Sequence, residues 1–390
     1  MSEIVQSGRA AKAAVVREKG GAFLIEQVHV EAPRADEVLV RMVAVGICHT
    51  DAIMRDQYFP YPLPGVFGHE GAGVVEAVGA NVATVVPGDH VVLSFMSCGN
   101  CPRCAGGEPA YCESFVGLNL AGQRSDGSTG CCDAHGHKVH DHFFGQSAFS
   151  SLTLAHSRNT VKVDKEVPLE LLGPLGCGIQ TGAGAVLNAL AVRAGDSIAV
   201  FGVGGVGLSA IMAARVAGAT TIIAVDVQPS RLNLAKELGA THVVNAAQAD
   251  PVTTIQALTG RGTKFTLETS GRPDVLRQAI DALAIRGTCG ILGAPPLGTE
   301  ARFDVNMLMI PGRTIRGICE GDSVPAVFIP QLIQLYRQGR FPFDRLLRFY
   351  PFEQINEAIA DSLRGEVIKP VLRFQGHDCE KPRPVGTALG

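Results

Sequence analysis

The run SIAVFGVGGVGLSAIMAARVAGATTIIAVD, residues 197–226, constrains the fold more than any other stretch of the chain. An apolar strand-like segment leads into G-x-G-x-x-G at Gly202, Gly204 and Gly207. A helical pattern follows, and a second apolar segment ends in Asp226, nineteen residues past the last glycine. The first glycine permits a tight turn, the second lets backbone approach a pyrophosphate, and the third lets helix pack on strand. The helix N-terminus, with Gly205 and Val206 inside the cradle, then faces the phosphates. Strand and helix patterns keep alternating afterwards through SRLNLAKELGA, HVVN, KFTLETS, PDVLRQAIDAL, GTCGILG and TIRGI. That order predicts a doubly wound parallel sheet, an α/β Rossmann domain over 186–318. A carboxylate at Asp226 accepts hydrogen bonds from adenosine ribose hydroxyls and repels a 2′-phosphate, so the pattern predicts NAD rather than NADP. Arg231, five residues on, is expected beside the adenosine.

The N-terminal half has a different texture. From about Lys12 to Phe95, short β-branched runs (EVLVRMVAVGIC, GAGVVEAVG, DHVVLSF) alternate with Gly and Pro, which predicts a strand-rich, barrel-like domain. Residues Leu118 to Phe144 are polar, glycine-rich and studded with histidine, and read as an extended loop. After Ile318 only a helical stretch (VPAVFIPQLIQLYRQG) and a strand (KPVLRF) remain. They are too little for a third domain, so the first domain is expected to comprise 1–185 and 319–390, ending in a mobile tail over 376–390. A chain of 390 residues with a net charge of −3 and interspersed signs offers no electrostatic footprint for nucleic acid or an anionic membrane. Its expected partner is a small molecule. No apolar run reaches membrane-spanning length, and the start lacks the apolar core of a secretory signal, which predicts a cytoplasmic protein.

Eleven cysteines bear on chemistry more than on disulfides in such a compartment. Four of them, Cys98, Cys101, Cys104 and Cys112 in CGNCPRCAGGEPAYC, follow C-x2-C-x2-C-x7-C, close enough for one loop to wrap a tetrahedral ion. Four thiolates saturate zinc and leave no position for water, so this site is expected to be structural. Further potential ligands are Cys48 and His49 in GICHTD, His69 and Glu70 in GHE, and Cys177 in GCG. Taken singly, each is more often a buried thiol or a satisfied imidazole than a ligand; the combination changes that.

The motifs GICHTD, GHEGAGVVEAVG, the four-cysteine loop, LGPLGCGIQTGAGAV and FGVGGVGLSAI resemble, in this order and spacing, the zinc-containing medium-chain alcohol dehydrogenases. The resemblance runs from about Lys12 to Phe374. It implies a GroES-like β-rich catalytic domain beside the Rossmann domain, and two zinc ions and one NAD per chain. It also implies that Cys48, His69 and Cys177 hold the catalytic zinc, with one face open to an alcohol oxygen. Glu70 would contact that zinc transiently, Asp51 would support His69, and Thr50 would take the alcohol proton. His49 and Lys369 would lie against the NAD pyrophosphate and Thr181 beside the cofactor. A homodimer or homotetramer would form through the edge of the nucleotide domain near Asn306 to Arg316.

One family feature is missing. Ile53 stands where many members carry a proton-relaying histidine, so proton exit is expected through another route such as His49. Together with FFGQSAF and RFPFDRLLRFYPFEQINEAI, this resembles the aryl-alcohol (benzyl alcohol) dehydrogenase branch, which also includes geraniol dehydrogenases. A conjugated alcohol suits a dry, flat pocket, for which Ser94, Phe95, Leu118 and Cys319 are candidates. Glu320 is expected to charge the pocket mouth. Glutathione-dependent formaldehyde dehydrogenase also shows CHTD, but the segment from Cys112 to Leu120 lacks the basic residues its adduct needs. A non-catalytic nucleotide-binding protein would be expected to lose the ligands present here. The cluster HGHKVHDH, His135 to His142, reads as solvated imidazoles, and Cys131 and Cys132 have no assigned role.

Overall fold

A computed structural model of the chain describes residues 8–374. The tail at 376–390 lies outside them. Near the N-terminus, β1 (Arg9–Val16), β2 (Leu24–Val30), β4 (Gly65–Val66), β7 (Cys131–Asp133) and β8 (Lys138–Val139) form a five-stranded sheet in the order β4-β1-β2-β7-β8. A seven-stranded sheet holds β3 (Glu37–Gly46), β5 (Glu70–Val78), β6 (His90–Leu93), β9 (Leu152–His156), β10 (Thr160–Lys162), β17 (Leu347–Pro351) and β18 (Lys369–Arg373). The long β3 is the hub of this sheet, pairing with β5, β9 and β18, and nine of its ten residues are buried. Its run EVLVRMVAVG is accordingly apolar on both faces rather than alternating.

The C-terminal strand does return to the first domain, where β18 runs antiparallel to β3 and parallel to β17. The expected extended loop over Leu118 to Phe144 is only partly one. Its middle adds β7 and β8 to the first sheet, with Cys131 and Cys132 buried where β7 pairs with β2.

Residues Ser197 to Gly317 supply six parallel strands: β11 (Ser197–Phe201), β12 (Thr221–Asp226), β13 (His242–Asn245), β14 (Thr263–Glu268), β15 (Leu283–Ile291) and β16 (Thr314–Gly317). Their order, β13-β12-β11-β14-β15-β16, is that of a doubly wound sheet whose direction reverses beside β11. Ligands of such sheets lie outside the C-terminal strand ends at that reversal. The two domains share a core, because Val43 and Ala72 of the β-rich domain belong to the same buried cluster as Ile198 and Leu267 of the parallel sheet. Cys177 and the helix Gly178–Gly184 that follows it lie at this junction, the helix packing on the one that follows the glycine turn, Gly205–Ala217.

Candidate metal centre and nucleotide cleft

Three segments converge on one point. The turn after β3 presents Cys48 as N-cap of the helix His49–Arg55, the start of β5 presents His69 and Glu70, and Cys177 precedes the helix Gly178–Gly184. The ligand atoms of Cys48, His69, Glu70 and Cys177 all lie within 4.8 Å of one another. Asp51, fully buried, organises the set. Its Oδ2 accepts the Cys48 N–H at 2.9 Å, and its Oδ1 lies 3.0 Å from His69 Nδ1 and accepts the Gly68 N–H at 3.1 Å. Burial would lower the His69 pKa, but Asp51 outweighs it and raises it well above the ordinary range. The opposite ring atom, Nε2, is buried without a partner. An orphaned imidazole nitrogen facing two thiols fits a divalent soft-to-borderline metal such as zinc, with nitrogen and sulfur as donors.

The Cys48 thiol is held well below its usual range by the hydrogen bond from Cys177 and by the Lys369 and His69 cations, with burial opposing. That favours a thiolate, the form a metal needs. Thr50 Oγ1 stands 3.6 Å from Cys48 Sγ, and His49 is exposed at the helix start. Ile53 is buried in the same helix.

Lys369 is not a surface charge. It is buried, and its Nζ donates to both oxygens of Glu70 at 2.8 and 3.0 Å and to Ile47 O at 3.2 Å. Its Cε would stand only 3.5 Å from a Cβ on Gly205, so the side chain spans from behind the metal donors to the glycine turn.

The pocket candidates divide. Ser94 is fully buried, but its hydroxyl donates to Gly176 O and accepts from Gln180, so it ties the Cys177 segment down and offers nothing to a substrate. Phe95 is buried, its ring 5.9 Å from that of Phe115. Leu118 lines a cavity of about 320 Å³ bounded by Arg34, Glu37, Arg124 and His142, with none of Cys48, His69, Glu70 and Cys177 among its walls. Cys319 is half-buried, and burial pushes its thiol up to about 12.

Glu320 is not at a pocket mouth. Its carboxylate reaches the metal donors, with Oε1 at 3.8 Å from Cys177 Sγ and Oε2 accepting the Thr181 hydroxyl at 3.3 Å. Burial pushes the Glu320 carboxyl up to about 7, against the pull of the His69 cation. Phe143 and Phe144, which open the FFGQSAF segment but are not among the pocket candidates, form the wall over His69. The Phe144 ring stacks on the imidazole at 4.5 Å, and Phe143 meets it edge-on at 5.3 Å. Gln146 fixes the back of this wall, donating to His69 O and Ser94 O.

The histidine cluster also splits. His135 and His137 are exposed, whereas His142 is buried, with Nδ1 2.6 Å from Asp141 Oδ1 and Nε2 3.5 Å from Glu37 Oε1.

The sulfurs of Cys98, Cys101, Cys104 and Cys112 likewise lie within 4.8 Å of one another, and none of the four is in a disulfide. Backbone N–H groups of Cys98, Cys101 and Cys104 donate to sulfurs of the set at 3.3 to 3.5 Å. Amides of Cys104 and Glu113 bring the Cys101 thiol down to about 6. This donor set fits a closed tetrathiolate zinc site.

At the nucleotide cleft, β11 is followed by Gly202, whose φ of 86° is left-handed, and a Cβ on Gly207 would come within 2.0 Å of Gly202 O. Gly204, by contrast, faces open space, which leaves the cradle free for a phosphate. Asp226 is buried at the end of β12. Its Oδ2 accepts the Val203 N–H at 2.8 Å, and its Oδ1 accepts the Val227 and Gln228 N–H groups. The carboxylate therefore braces the glycine turn. Arg231 lies with its guanidinium beside Gly365 and its Nε unpartnered.

A nitrogen and sulfur donor set with an orphaned imidazole, set beside a glycine turn at the reversal of a doubly wound sheet, defines a metal-dependent dehydrogenase. The chain belongs to the zinc-type alcohol dehydrogenase family. Residues 34–165 match the alcohol dehydrogenase GroES-like domain, and residues 205–337 match the zinc-binding dehydrogenase domain. It is 48% identical over 366 residues to the geraniol dehydrogenase of Castellaniella defragrans, covering 93% of this chain and 98% of that one. Among solved structures, it resembles an alcohol dehydrogenase zinc-binding domain protein from Burkholderia ambifaria, with 62% identity, 95% and 100% coverage and a TM-score of 0.93. It also resembles the benzyl alcohol dehydrogenase of Acinetobacter calcoaceticus, with 52% identity, 94% and 99% coverage and a TM-score of 0.91. No described helix is long and apolar enough to cross a membrane.

Proposed function

We propose that the protein oxidises aromatic or allylic primary alcohols to aldehydes, reversibly, by hydride transfer to NAD. The observation that carries the substrate class is the aromatic wall over the metal donors, Phe144 stacked on His69 with Phe143 edge-on and Phe115 behind. A flat conjugated alcohol packs on such rings, and its aldehyde is stabilised by the adjoining π-system. The similarities to geraniol and benzyl alcohol dehydrogenases support the same class.

In this reading Cys48, His69 and Cys177 hold one zinc and the four-cysteine loop holds another. The catalytic ion, when bound, supplies the positive charge that lowers the alcohol pKa toward neutrality. Asp51 fixes the His69 ring, and Lys369 holds Glu70 in reserve behind the ligands. Thr50 receives the hydroxyl proton, and the exposed His49 beside it passes that proton to solvent, because Ile53 cannot. Gly202, Gly204, Gly205, Val206, Gly207 and Asp226 would hold the dinucleotide, whose nicotinamide, when bound, would take up the α-carbon hydride with its electron pair. Thr181 would lie beside that ring. The catalytic domain comprises 1–185 with 319–390, and the NAD-binding domain 186–318. A second copy of the chain covers the outer edge of β16 and the exposed apolar residues Met307, Met309 and Ile310 beside it.

A steady-state panel of benzyl alcohol, cinnamyl alcohol, geraniol, hexanol and hydroxymethylglutathione, with NAD and with NADP, tests the proposal. The expected order places the conjugated alcohols first and NAD above NADP. Preference for hexanol or hydroxymethylglutathione would overturn the substrate class, and equal use of both cofactors would overturn the choice of NAD.

A further inference from the structure

Three consecutive residues after β16, Glu320 (φ 48°), Gly321 (φ 67°) and Asp322 (φ 51°), take the left-handed conformation. Two of them carry side chains, for which this region is unfavourable, and such a turn persists only where its neighbours over-determine it. Several restraints come from nearby. Asn188 donates to Gly321 O at 3.2 Å, the Ser323 hydroxyl donates to Glu320 O at 2.5 Å, and Arg316 pairs with Asp322 Oδ2 at 2.5 Å.

One restraint comes from a part of the chain more than two hundred residues away. Tyr111 sits inside the four-cysteine loop, immediately before Cys112. Its hydroxyl donates to Asp322 Oδ1 at 2.6 Å and accepts the Cys319 N–H at 3.3 Å. Burial and the Asp322 carboxylate push the phenol up to about 12, so it remains a donor across the working range. Between these two anchor points lie Glu320 and Gly321, and the Glu320 carboxylate meets Cys177 and Thr181.

We propose that Tyr111 is a positioning residue. Its hydroxyl locks the Cys319–Asp322 turn, and so sets where the Glu320 carboxylate stands beside Cys177 and Thr181. The four-cysteine loop thereby shapes the catalytic pocket as well as its own fold. The kinetic consequence rests on the alcohol dehydrogenase reading above, whereas the structural one does not.

The test uses the zinc-loaded full chain and Tyr111→Phe, which removes only the hydroxyl. Hydrogen–deuterium exchange of the peptide spanning 317–323 is expected to rise roughly tenfold, as for loss of a hydrogen bond to a charged acceptor. Zinc content and melting temperature should stay at the parental values. The KM for alcohol should rise roughly fivefold with a smaller change in kcat, since the pocket loosens while the ligands stay. Asp322→Ala should shift exchange and KM in the same direction and at least as far, because it also releases Arg316, and the double variant should be no worse than Asp322→Ala alone. Unchanged exchange in Tyr111→Phe, or additive effects in the double variant, would overturn the proposal. If Tyr111→Phe loses zinc, Asp322→Ala decides, because it removes the acceptor of the Tyr111 hydroxyl and leaves the loop untouched; parental exchange in that variant refutes the latch. Absence of turnover in the parent would refute the enzymatic reading alone, since the exchange arm needs no substrate.

Discussion

His142 makes the stability of the protein depend on pH in the alkaline range. Its imidazole is enclosed by Asp141 at 2.6 Å and Glu37 at 3.5 Å, and Glu37 is in turn held by Arg124 at 2.5 and 3.0 Å and by the Arg34 N–H at 3.0 Å. Glu31 completes the group, 2.6 Å from Arg124. Burial alone would lower the His142 pKa, but Asp141 and Glu37 outweigh burial and Arg124 and carry it from 6.5 up to about 9. The folded state thus prefers the imidazolium. The stabilisation is complete below the unfolded value near 6.5 and disappears as pH rises through about 9. At about 1.36 kcal/mol per pKa unit the full effect is roughly 3 kcal/mol, of which about 2 kcal/mol is lost between pH of about 7.5 and about 9.5. Urea unfolding of the parent and of His142→Gln at several pH values across that window measures it. The parent should lose about 2 kcal/mol more than the variant. Parallel profiles for the two proteins would show that the network does not hold a charged imidazole.

Other outcomes follow from the same geometry. Lys369→Met strands the Glu70 carboxylate in the interior and should cost about 3–5 kcal/mol in chemical denaturation, with Glu70→Gln recovering much of it in the double variant. A loss below about 1 kcal/mol would mean that the pair is solvated. Cys101→Ser should remove one zinc of two per chain, by elemental analysis, and lower the melting temperature while the second ion stays; an unchanged zinc count would dismiss the loop as a metal site. Asp226→Ala should reduce the preference for NAD over NADP by roughly tenfold to a hundredfold in kcat/KM, and an unaltered ratio would show that another group reads the ribose.

The features that could be read from the chain are those whose causes are local. The four-cysteine site is one loop, so spacing alone brings its sulfurs together. The doubly wound sheet announces itself because each apolar run is followed by its own helix, and the glycine turn needs only residues 202–207 to form. Glu320 lies 143 residues from Cys177, and it reaches the metal donors through two left-handed non-glycine residues that leave no compositional trace. His142 ends a polar, histidine-rich stretch that looks solvated, yet the pairing of β2 with β7 draws that stretch onto the sheet. Ser94 and Lys369 were legible as polar residues at the right places, but not in their partners. Ser94 is taken up by Gly176 and Gln180, and Lys369 by Glu70, contacts across 82, 86 and 299 residues of chain.

The helix bearing Thr181 abuts the helix of the glycine turn so closely that a Cβ on Gly182 would fall 2.0 Å from Val206 O. The helix that follows Cys177 and the helix of the glycine turn are therefore spaced by a missing methyl group. On the proposed function, room for bulkier substrates would have to come from the aromatic side of the metal donors, because prying at the glycine seam would part Cys177 from the nucleotide turn.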